Sequence, residues 1–298
     1  AEFVSDPDLM FTYQSQGQEV CESMLEMFQR HEFSAEQWVE IKRFCEAEGI
    51  IFLSTPQNYS DLELLLSLGI PAIKVGSDDF NNIPLLKRYA QTGLPLILSC
   101  GMADLADVYK SLQAIGALDG YPVVLLLCTS QYPTPPQNVN IYKLKTLRLA
   151  FPMLQVGFSD HTQGPLASAL ALAMGAVVFE KHFTLDHDLP GPDHWFSEDP
   201  QGLHEWISTI RSAHQMMGSS IIRPTPEEED MRKIARRSIV TSCAIPAGEV
   251  LNMDNLELKR PGTGIAPDML ETILGHRALK PIPKGHILQW GDFDNEQR

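Results

Sequence analysis

The length, composition and charge of this chain exclude several classes of protein. Its 298 residues exceed the size of an average domain, so we expect either one barrel or a large domain with a small one. Hydrophobic residues make up 44% and charged residues 20% of the chain, as in a folded globular protein. The formal net charge of -15 repels phosphate backbones and anionic lipid, so neither a nucleic acid nor a membrane is an expected partner.

The expected compartment follows from the N-terminal sequence, the lengths of the apolar runs and the cysteine pattern. No apolar run has the length of a bilayer span, and the start AEFVSDPDLM lacks the basic and apolar regions of a secretion signal. We therefore expect a cytoplasmic protein. The 5 cysteines show no CxxC spacing, and their odd number disfavours a disulfide framework or a cysteine zinc site.

From about Ser34 the chain alternates helix-like segments with short apolar runs. The runs lack the polar and apolar alternation of half-exposed strands, which is typical of strands buried on both faces. Six such runs can be counted: GIIFLST ending at Thr55, PAIKVGS at Ser77, LPLILSC at Cys100, PVVLLLCTS at Ser130, LQVGFSDH at His161 and AVVFEKHF at Phe183. Amphipathic segments such as DLELLLSLGI lie between them, so the pattern predicts repeated βα units and a parallel sheet or barrel.

Polar side chains gather at the carboxyl ends of these predicted strands. They are small hydroxyls, a lysine, carboxylates and histidines: Thr55, Lys74, Ser77, Ser99, Thr129, Ser130, Ser159, Asp160, His161, Glu180 and His182. In a barrel this end of every strand faces the active site, whereas a doubly wound sheet uses mainly one crevice. Because every strand contributes here, we favour an α/β fold with a (β/α) TIM-type barrel over residues 1–218.

The remaining residues predict a second, smaller domain. Residues 219–235 contain prolines and an acidic run, which favours a surface linker. Residues 236–298 contain short strand-like segments broken by Pro and Gly turns, with the similar phrases IPAGEVL and IPKGHIL. This pattern predicts a small β-rich domain.

His161 and His182 are candidate metal ligands. They follow successive predicted strands, and two imidazoles at such positions could hold a divalent cation while leaving room for water and substrate. An isolated histidine is more often a hydrogen-bonded structural residue. Asp160 and Glu180 lie beside this pair, however, and favour the metal hypothesis.

Lys74 is a candidate for binding an anion. It lies inside an apolar strand, where an unpaired ammonium group would be costly. One hypothesis is an internal ion pair, for instance with Glu180. The other is a phosphate encircled by the lysine and by hydroxyls at the strand ends, although a single serine there is more often a helix N-cap.

The segment HFTLDHDLPGPDH, residues 182–194, is predicted to be a loop that closes over substrate. His187 and Asp188 fit a solvated polar loop equally well. Asp193 is the better candidate for the site because proline and glycine fix its position. The chain has no GxGxxG before a helix, no Walker loop and no nucleophile elbow, which disfavours dinucleotide redox chemistry, nucleotide hydrolysis and serine hydrolysis.

Several phrases resemble those of the N-acetylneuraminate (sialic acid) synthases, which carry a C-terminal antifreeze-like, or SAF, domain. The phrases are FLSTP, IKVGSDDFNN, ILSCGM, CTSQYPTPPQNVN, GFSDHT, EKHFTLDHDLPGPDH, KRPGTGI and PKGHILQWGDF. They occur in order over nearly the whole chain, and legionaminic and pseudaminic acid synthases share them. The resemblance implies a synthase-type (β/α) barrel in residues 1–218 and a SAF (β-clip) domain in residues 236–298.

The resemblance also implies a reaction and a set of roles. Phosphoenolpyruvate would condense with an N-acyl amino sugar, N-acetylmannosamine or a related hexosamine, and water, giving a nonulosonic acid and phosphate. His161 and His182 would bind Mn2+ or Mg2+, and Glu180 would orient substrate or assist proton transfer. The substrate-binding residues around the phosphate would be Thr55, Lys74, Ser77, Ser99, Ser130 and Ser159, and Lys74 would also be catalytic together with Glu180, His161 and His182. Tyr132 and Asp193 would contact the sugar, and Asp160 would be a further substrate-binding residue. Arg260 would reach the N-acyl group from the partner subunit of a domain-swapped homodimer.

Two departures from the family pattern leave alternatives open. The family begins with a glutamate-bearing strand of E-I-G-x-N-H type and a K-F-Q strand, and neither phrase occurs here, so we expect the first two barrel strands to be missing from this chain. Ser130 stands where many relatives carry Asn. The alternatives are a truncated barrel that binds substrate without turnover, and another metal-dependent aldol-type barrel enzyme.

Overall fold

The computed structural model describes residues 4–294. The chain divides into two compact units, Ala1–Gly218 and Ser219–Arg298. The strands of the first unit are β1 (Met10–Ser15), β2 (Gln18–Ser23), β3 (Ile73–Val75), β4 (Leu96–Ser99), β5 (Val123–Cys128), β6 (Gln155–Asp160) and β7 (Val178–Lys181). Its helices are α1 (Met24–Arg30), α2 (Ala35–Ala47), α3 (Tyr59–Ser67), α4 (Ile83–Ala90), α5 (Leu105–Ala114), α6 (Pro136–Val139), α7 (Lys143–Ala150), α8 (Leu166–Ala173) and α9 (Pro200–Met217).

The first unit is built on a five-stranded parallel sheet in the order β3-β4-β5-β6-β7. Helices connect each strand to the next, which confirms the predicted βα repeat. With five parallel strands the sheet forms a half-barrel. Ile73, Leu96, Leu98 and Leu125 are fully buried, which explains why the strands read as unbroken apolar runs.

The helices begin where the sequence supplies capping residues. The side chains of Asn58, Asn82 and Asp104 accept hydrogen bonds from the first turns of α3, α4 and α5. These capping residues therefore mark the positions at which the three helices begin. Their apolar faces complete the core that holds the sheet in place.

The prediction of a strand ending at Thr55 is wrong. Residues 50–57 have irregular backbone, and Ile50 and Ile51 are 62% and 77% exposed. A strand requires hydrogen bonds to a neighbour, and among the described residues β3 pairs only with β4. An apolar run without such a partner does not form part of the sheet.

The N-terminal part of the unit is an antiparallel hairpin formed by β1 and β2. Its two-residue turn is Gln16 and Gly17, which have positive φ values of 52° and 73°. Positive φ at both turn positions matches the right-handed twist of the two strands. This hairpin was not predicted from the sequence.

The second unit contains α10 (Pro226–Ala235), β8 (Ser238–Thr241), β9 (Leu256–Lys259) and α11 (Leu270–Ile273). Part of the predicted linker is therefore helical. The similar phrases IPAGEVL and IPKGHIL pair with each other, because Ile245 and Ile282 exchange two backbone hydrogen bonds of 2.8 Å. A core of its own includes Ile239, Leu251 and Leu288. Among residues 4–294, none of the helices combines the length and apolar character needed to cross a bilayer.

Candidate active site

A cavity of about 1100 Å³ lies at the carboxyl ends of the parallel strands. Most of the residues singled out in the sequence line it: Lys74, Ser77, Ser99, Ser130, Tyr132, Ser159, His161, Glu180, His182 and Asp193. Parallel strands bring their carboxyl ends to one edge, so residues that are far apart in the chain meet there. The β1–β2 hairpin and the loop between β7 and α9 form the remaining walls.

Lys74 lies in the floor of the cavity and is largely buried. Its Nζ donates to Ser99 Oγ and to the Val75 carbonyl at 3.0 Å each, and lies 3.3 Å from Glu180 Oε1. Ser159 Oγ donates to the other oxygen of Glu180 at 2.6 Å. The internal ion pair considered from the sequence is therefore present, and it faces the cavity.

Ser77, Ser130 and Gly101 form a tight cradle beside this lysine. Gly101 N donates to Ser77 Oγ at 3.0 Å. A Cβ atom on Gly101 would lie only 2.5 Å from Ser130 Oγ and 2.6 Å from Ser77 Oγ. Ser130 Oγ is buried and has no hydrogen-bond partner within residues 4–294. Since an unsatisfied buried hydroxyl costs about 1–3 kcal/mol, a ligand oxygen at this position would be favoured.

His161 and His182 follow the adjacent strands β6 and β7, and their ring centroids are 5.1 Å apart. His161 Nδ1 is 2.8 Å from the Thr129 carbonyl. A carbonyl only accepts hydrogen bonds, so Nδ1 is the donor here, and Nε2 is the ring nitrogen left to face a cation. His182 Nδ1 is 3.5 Å from Asp193 Oδ2. Residues 4–294 contain no cluster of three or more His, Cys, Asp or Glu side chains able to hold a metal, so water or substrate would complete the coordination of a cation on this pair.

Tyr132 and Cys128 adjoin the histidine pair. The Tyr132 ring lies 4.3 Å from the His161 ring and 5.6 Å from the His182 ring, centroid to centroid. Burial, followed by nearby negative groups, raises the pKa of Tyr132 to about 12, so its hydroxyl is a neutral hydrogen-bond donor at neutral pH. Burial alone would raise the pKa of the Cys128 thiol, but hydrogen bonds with His161, Ser77 and Ser159 lower it below its ordinary value.

Two predicted site residues of the first unit do not line this cavity. Thr55 lines a separate cavity of about 490 Å³, since its segment is not part of the sheet. Asp160 is fully buried, and its carboxylate accepts hydrogen bonds from Thr162, Ser168 and Trp206 instead of facing the cavity. Arg260 belongs to the second unit, directly after β9.

Sequence reasoning missed several residues of the cavity wall. They are residues 11–14, Glu19, Met24, Met27, Phe28, Gln57, Asp78, Met102, Gln131, Trp195 and Phe196. Asp78 and Gln131 stand within the motifs quoted above, and the alternation in MFTYQS is a strand signal. The aromatic and methionine residues could not be recognised as site residues, because their spacing in the sequence does not differ from that of buried core residues.

The half-barrel and its site define the class of this protein as a barrel-type α/β protein with its site at the carboxyl ends of the strands. The chain belongs to the NeuB family, whose family model matches residues 2–222. A SAF domain is matched at residues 236–294. Both the fold and the family inferred from the sequence are thereby confirmed.

Two relatives and one solved structure illustrate the range of this similarity. An N,N'-diacetyllegionaminic acid synthase of Legionella pneumophila is 38% identical over 93% of this chain and 79% of its own length. A human N-acetylneuraminate-9-phosphate synthase is 32% identical over 89% of this chain and 74% of its own. The structure of an N-acetylneuraminic acid (sialic acid) synthetase of Leptospira borgpetersenii, in complex with citrate, has a TM-score of 0.65 at 28% identity, covering 70% of this chain and 72% of the other.

Proposed function

We propose that this chain condenses phosphoenolpyruvate with an N-acyl amino sugar and water, giving a nonulosonic acid and inorganic phosphate. The observation that carries the proposal is the cradle of Ser77, Ser130 and Gly101 beside Lys74, with two imidazoles above the same cavity. Membership of the NeuB family supports it. The named products of the relatives are different sugar acids, which supports the reaction class and leaves the particular sugar open.

The phosphate of the donor would bind among Lys74, Ser77, Ser99, Ser130 and Ser159. Ser130 Oγ has a free hydrogen to donate, and Lys74 supplies a buried positive charge. Charge-assisted hydrogen bonds to phosphate oxygens are the strong ones in such a site. The incoming phosphate would compete with Glu180 for the ammonium group of Lys74. The Glu180 carboxylate would then be available to orient the sugar or to transfer a proton.

The histidine pair fits a divalent cation, Mn2+ or Mg2+, by its donor chemistry. His161 Nε2 is left to face a cation because Nδ1 donates to Thr129, and Asp193, 3.5 Å from His182 Nδ1, would orient the second ring. When bound, such a cation supplies Lewis-acid polarisation of a carbonyl oxygen. Tyr132 would hold the acceptor against the two imidazoles and donate a hydrogen bond, and Asp193 would accept one from a sugar hydroxyl.

The bonds formed and broken follow from the chemistry of the two substrates. C3 of phosphoenolpyruvate attacks the aldehyde carbon of the open-chain sugar, and C2 becomes electron-poor and takes up water. The resulting tetrahedral centre expels phosphate by cleavage of its C–O bond. Glu180 is the group placed to exchange a proton in these steps, since its carboxylate lies in the cavity between Lys74 and Ser159.

The working assembly is a further part of the proposal. We propose a cytoplasmic homodimer in which the second unit of one subunit places Arg260 near the site of its partner. Arg260 is exposed, and its side chain forms no hydrogen bond or ion pair with the rest of residues 4–294. A planar guanidinium group suits an acyl carbonyl because it can donate two hydrogen bonds while staying charged.

The decisive experiment is product identification. The chain is incubated with phosphoenolpyruvate, Mn2+ and a panel of N-acyl hexosamines, and phosphate release and product mass are measured. We expect one phosphate for each sugar acid, with a mass equal to that of the sugar plus a pyruvate unit. Binding of phosphoenolpyruvate without phosphate release would instead identify a binding protein.

A further inference from the structure

The second unit contains a cavity that is lined by more cations than carboxylates. It has a volume of about 600 Å³ and lies between the end of α10 and residues 262–268, which follow β9. Its charged lining residues are Glu229, Arg232, Lys233, Arg236, Arg237 and Asp268. The described lining therefore has a net charge of +2, in a chain whose formal net charge is -15. No step of the proposed reaction uses this cavity.

The backbone around the cavity is fixed by hydrogen bonds. Gly262 N donates to the Lys233 carbonyl at 2.8 Å, and Gly264 N donates to Oγ of the fully buried Ser238 at 2.9 Å. A Cβ atom on Gly262 would lie only 2.8 Å from the Cβ of Arg236, so glycine allows this segment to pack closely against the arginine. The cavity is consequently a fixed feature of the second unit.

The four cations of the lining differ in what already binds them. Arg232 and Lys233 each have a carboxylate partner three residues earlier, at 2.8 Å and 3.0 Å. Both also lie in the last turn of α10, where the helix dipole favours positive charge. Arg236 and Arg237 are exposed, and neither side chain forms a hydrogen bond or ion pair within the described part of the chain. Two guanidinium groups beside one cavity are therefore left without a partner.

Further cations lie at the same end of the β8–β9 pair. Ser238 is opposite Lys259, so Arg237 and Arg260 follow this pair on the two strands. Lys259 is paired with Glu257 at 2.6 Å. Neither Lys259 nor Arg260 lines the cavity, but the charge of Arg260 adds to its positive potential. Because neighbouring like charges repel, an anion bound in the cavity would relieve an unfavourable arrangement.

We propose that this cavity binds a phosphate dianion, supplied as inorganic phosphate or as the phosphate group of a monoester. The two negative charges of the ligand balance the net charge of the lining. Arg236 and Arg237 present planar forks of donors that match phosphate oxygens, and Lys233 adds a point charge. A monocarboxylate leaves half of the positive charge unbalanced. The site lies in the second unit, so its occupancy does not depend on the proposed reaction.

The test is a calorimetric titration of the full chain with inorganic phosphate, glycerol 3-phosphate and acetate. It is carried out at about pH 8, where phosphate is largely a dianion. The chain carries Lys74→Met, because the cavity of the first unit is also proposed to bind phosphate. Arg237→Glu reverses one charge of the lining. Lys284→Glu is the matched control, since Lys284 is an exposed lysine of the same unit that does not line the cavity.

We expect inorganic phosphate to bind at one site with a Kd of about 1 mM or tighter, and acetate at least about tenfold more weakly. Arg237→Glu should weaken phosphate binding at least about tenfold, and Lys284→Glu less than about twofold. Arg237→Lys should lose less than Arg237→Glu, because it keeps the charge without the fork. Tighter binding of glycerol 3-phosphate would identify a phosphorylated metabolite as the ligand, and equal or weaker binding the free ion.

Three results would overturn the inference: no phosphate binding in the Lys74→Met chain, acetate bound as tightly as phosphate, or equal losses in Arg237→Glu and Lys284→Glu. Circular dichroism verifies that each variant is folded, and in the parent Arg237→Glu should remove the same binding site. If no phosphate binds and Arg237→Glu changes the oligomeric state in sedimentation, the arginines serve a contact between subunits instead. Phosphate release from phosphoenolpyruvate is measured separately, and its absence would overturn the proposed reaction alone.

Discussion

At the scale of single residues, the shape of the cavity depends closely on Gly101. Its Cα lies so near Ser77 and Ser130 that any side chain would push their hydroxyls apart. Gly101→Ala should raise the KM for phosphoenolpyruvate about tenfold, because overpacking of this size costs about 1–3 kcal/mol. Steady-state kinetics with varied donor measures the effect. Gly291→Ala is the control, since a Cβ there meets no atom within 4 Å; an equal change in both variants would contradict the cradle.

The two hypotheses for Lys74, an ion pair or a phosphate ligand, now make different predictions. Lys74→Met should weaken phosphoenolpyruvate binding by roughly 1.5–3 kcal/mol, the range for a hydrogen bond to a charged group. The double variant Lys74→Met/Glu180→Gln removes both partners of the 3.3 Å ion pair. If the lysine served only to balance Glu180, donor affinity in a calorimetric titration would be the same in the parent and in both variants.

At the scale of elements, a buried ionic network joins β6 and β7 to the helices behind them. The side chain of Lys181 is 3% exposed, and its Nζ lies 3.6 Å from Asp160 Oδ2 and 3.5 Å from Glu198 Oε1. It also donates to the Thr162 carbonyl. Because Asp160 and Lys181 immediately precede His161 and His182, the network fixes the backbone from which both imidazoles project.

Removing Lys181 should therefore destabilise the protein. Lys181→Met leaves two carboxylates buried without a cation, and breaking such a buried pair costs about 3–5 kcal/mol. Urea unfolding followed by circular dichroism measures the loss. Lys110→Met on the exposed face of α5 is the control, and Lys181→Arg should lose less because it keeps the charge. Equal midpoints for Lys181→Met and Lys110→Met would show that the network contributes nothing.

The same elements show which parts of the fold and of the candidate site could be predicted from the sequence. The strands β3 to β6 were predictable because they are largely buried on both faces, and the half-buried β7 was predictable from its apolar run. The shared edge of a parallel sheet then brought Lys74, Ser130 and the histidines together. The strand ending at Thr55 did not form because a strand depends on a partner that its own sequence does not reveal. Asp160 does not face the cavity because strand-end residues alternate in direction, and its side chain turns toward α8 and α9. The placement of the hairpin at the cavity depends on hydrogen bonds with a loop more than 170 positions away, which no local pattern encodes.

At the scale of the whole molecule, the chain comprises two units with separate cores. Residues 219–225 are irregular, and α10 follows with a capping box at Thr225 and Glu228. Arg260, the residue proposed to complete the site, belongs to the second unit, whereas the cavity belongs to the first. Whether one chain or two supplies the complete set of residues is therefore a question of assembly.

A complementation experiment answers that question. Arg260→Ala and His161→Ala each remove one function from a different unit, so each protein alone should have little activity. A two-fold dimer closes an exchange of units without leaving an open surface. If Arg260 acts in trans, a mixed dimer contains one barrel with its histidine intact and a partner that supplies the arginine. Random exchange between equal amounts should then restore about a quarter of the parent phosphate release, since half of the dimers are mixed and half of their sites are complete. Subunit exchange is verified by mass spectrometry of differently labelled chains, and verified exchange without any recovery would show that Arg260 does not serve a partner's site.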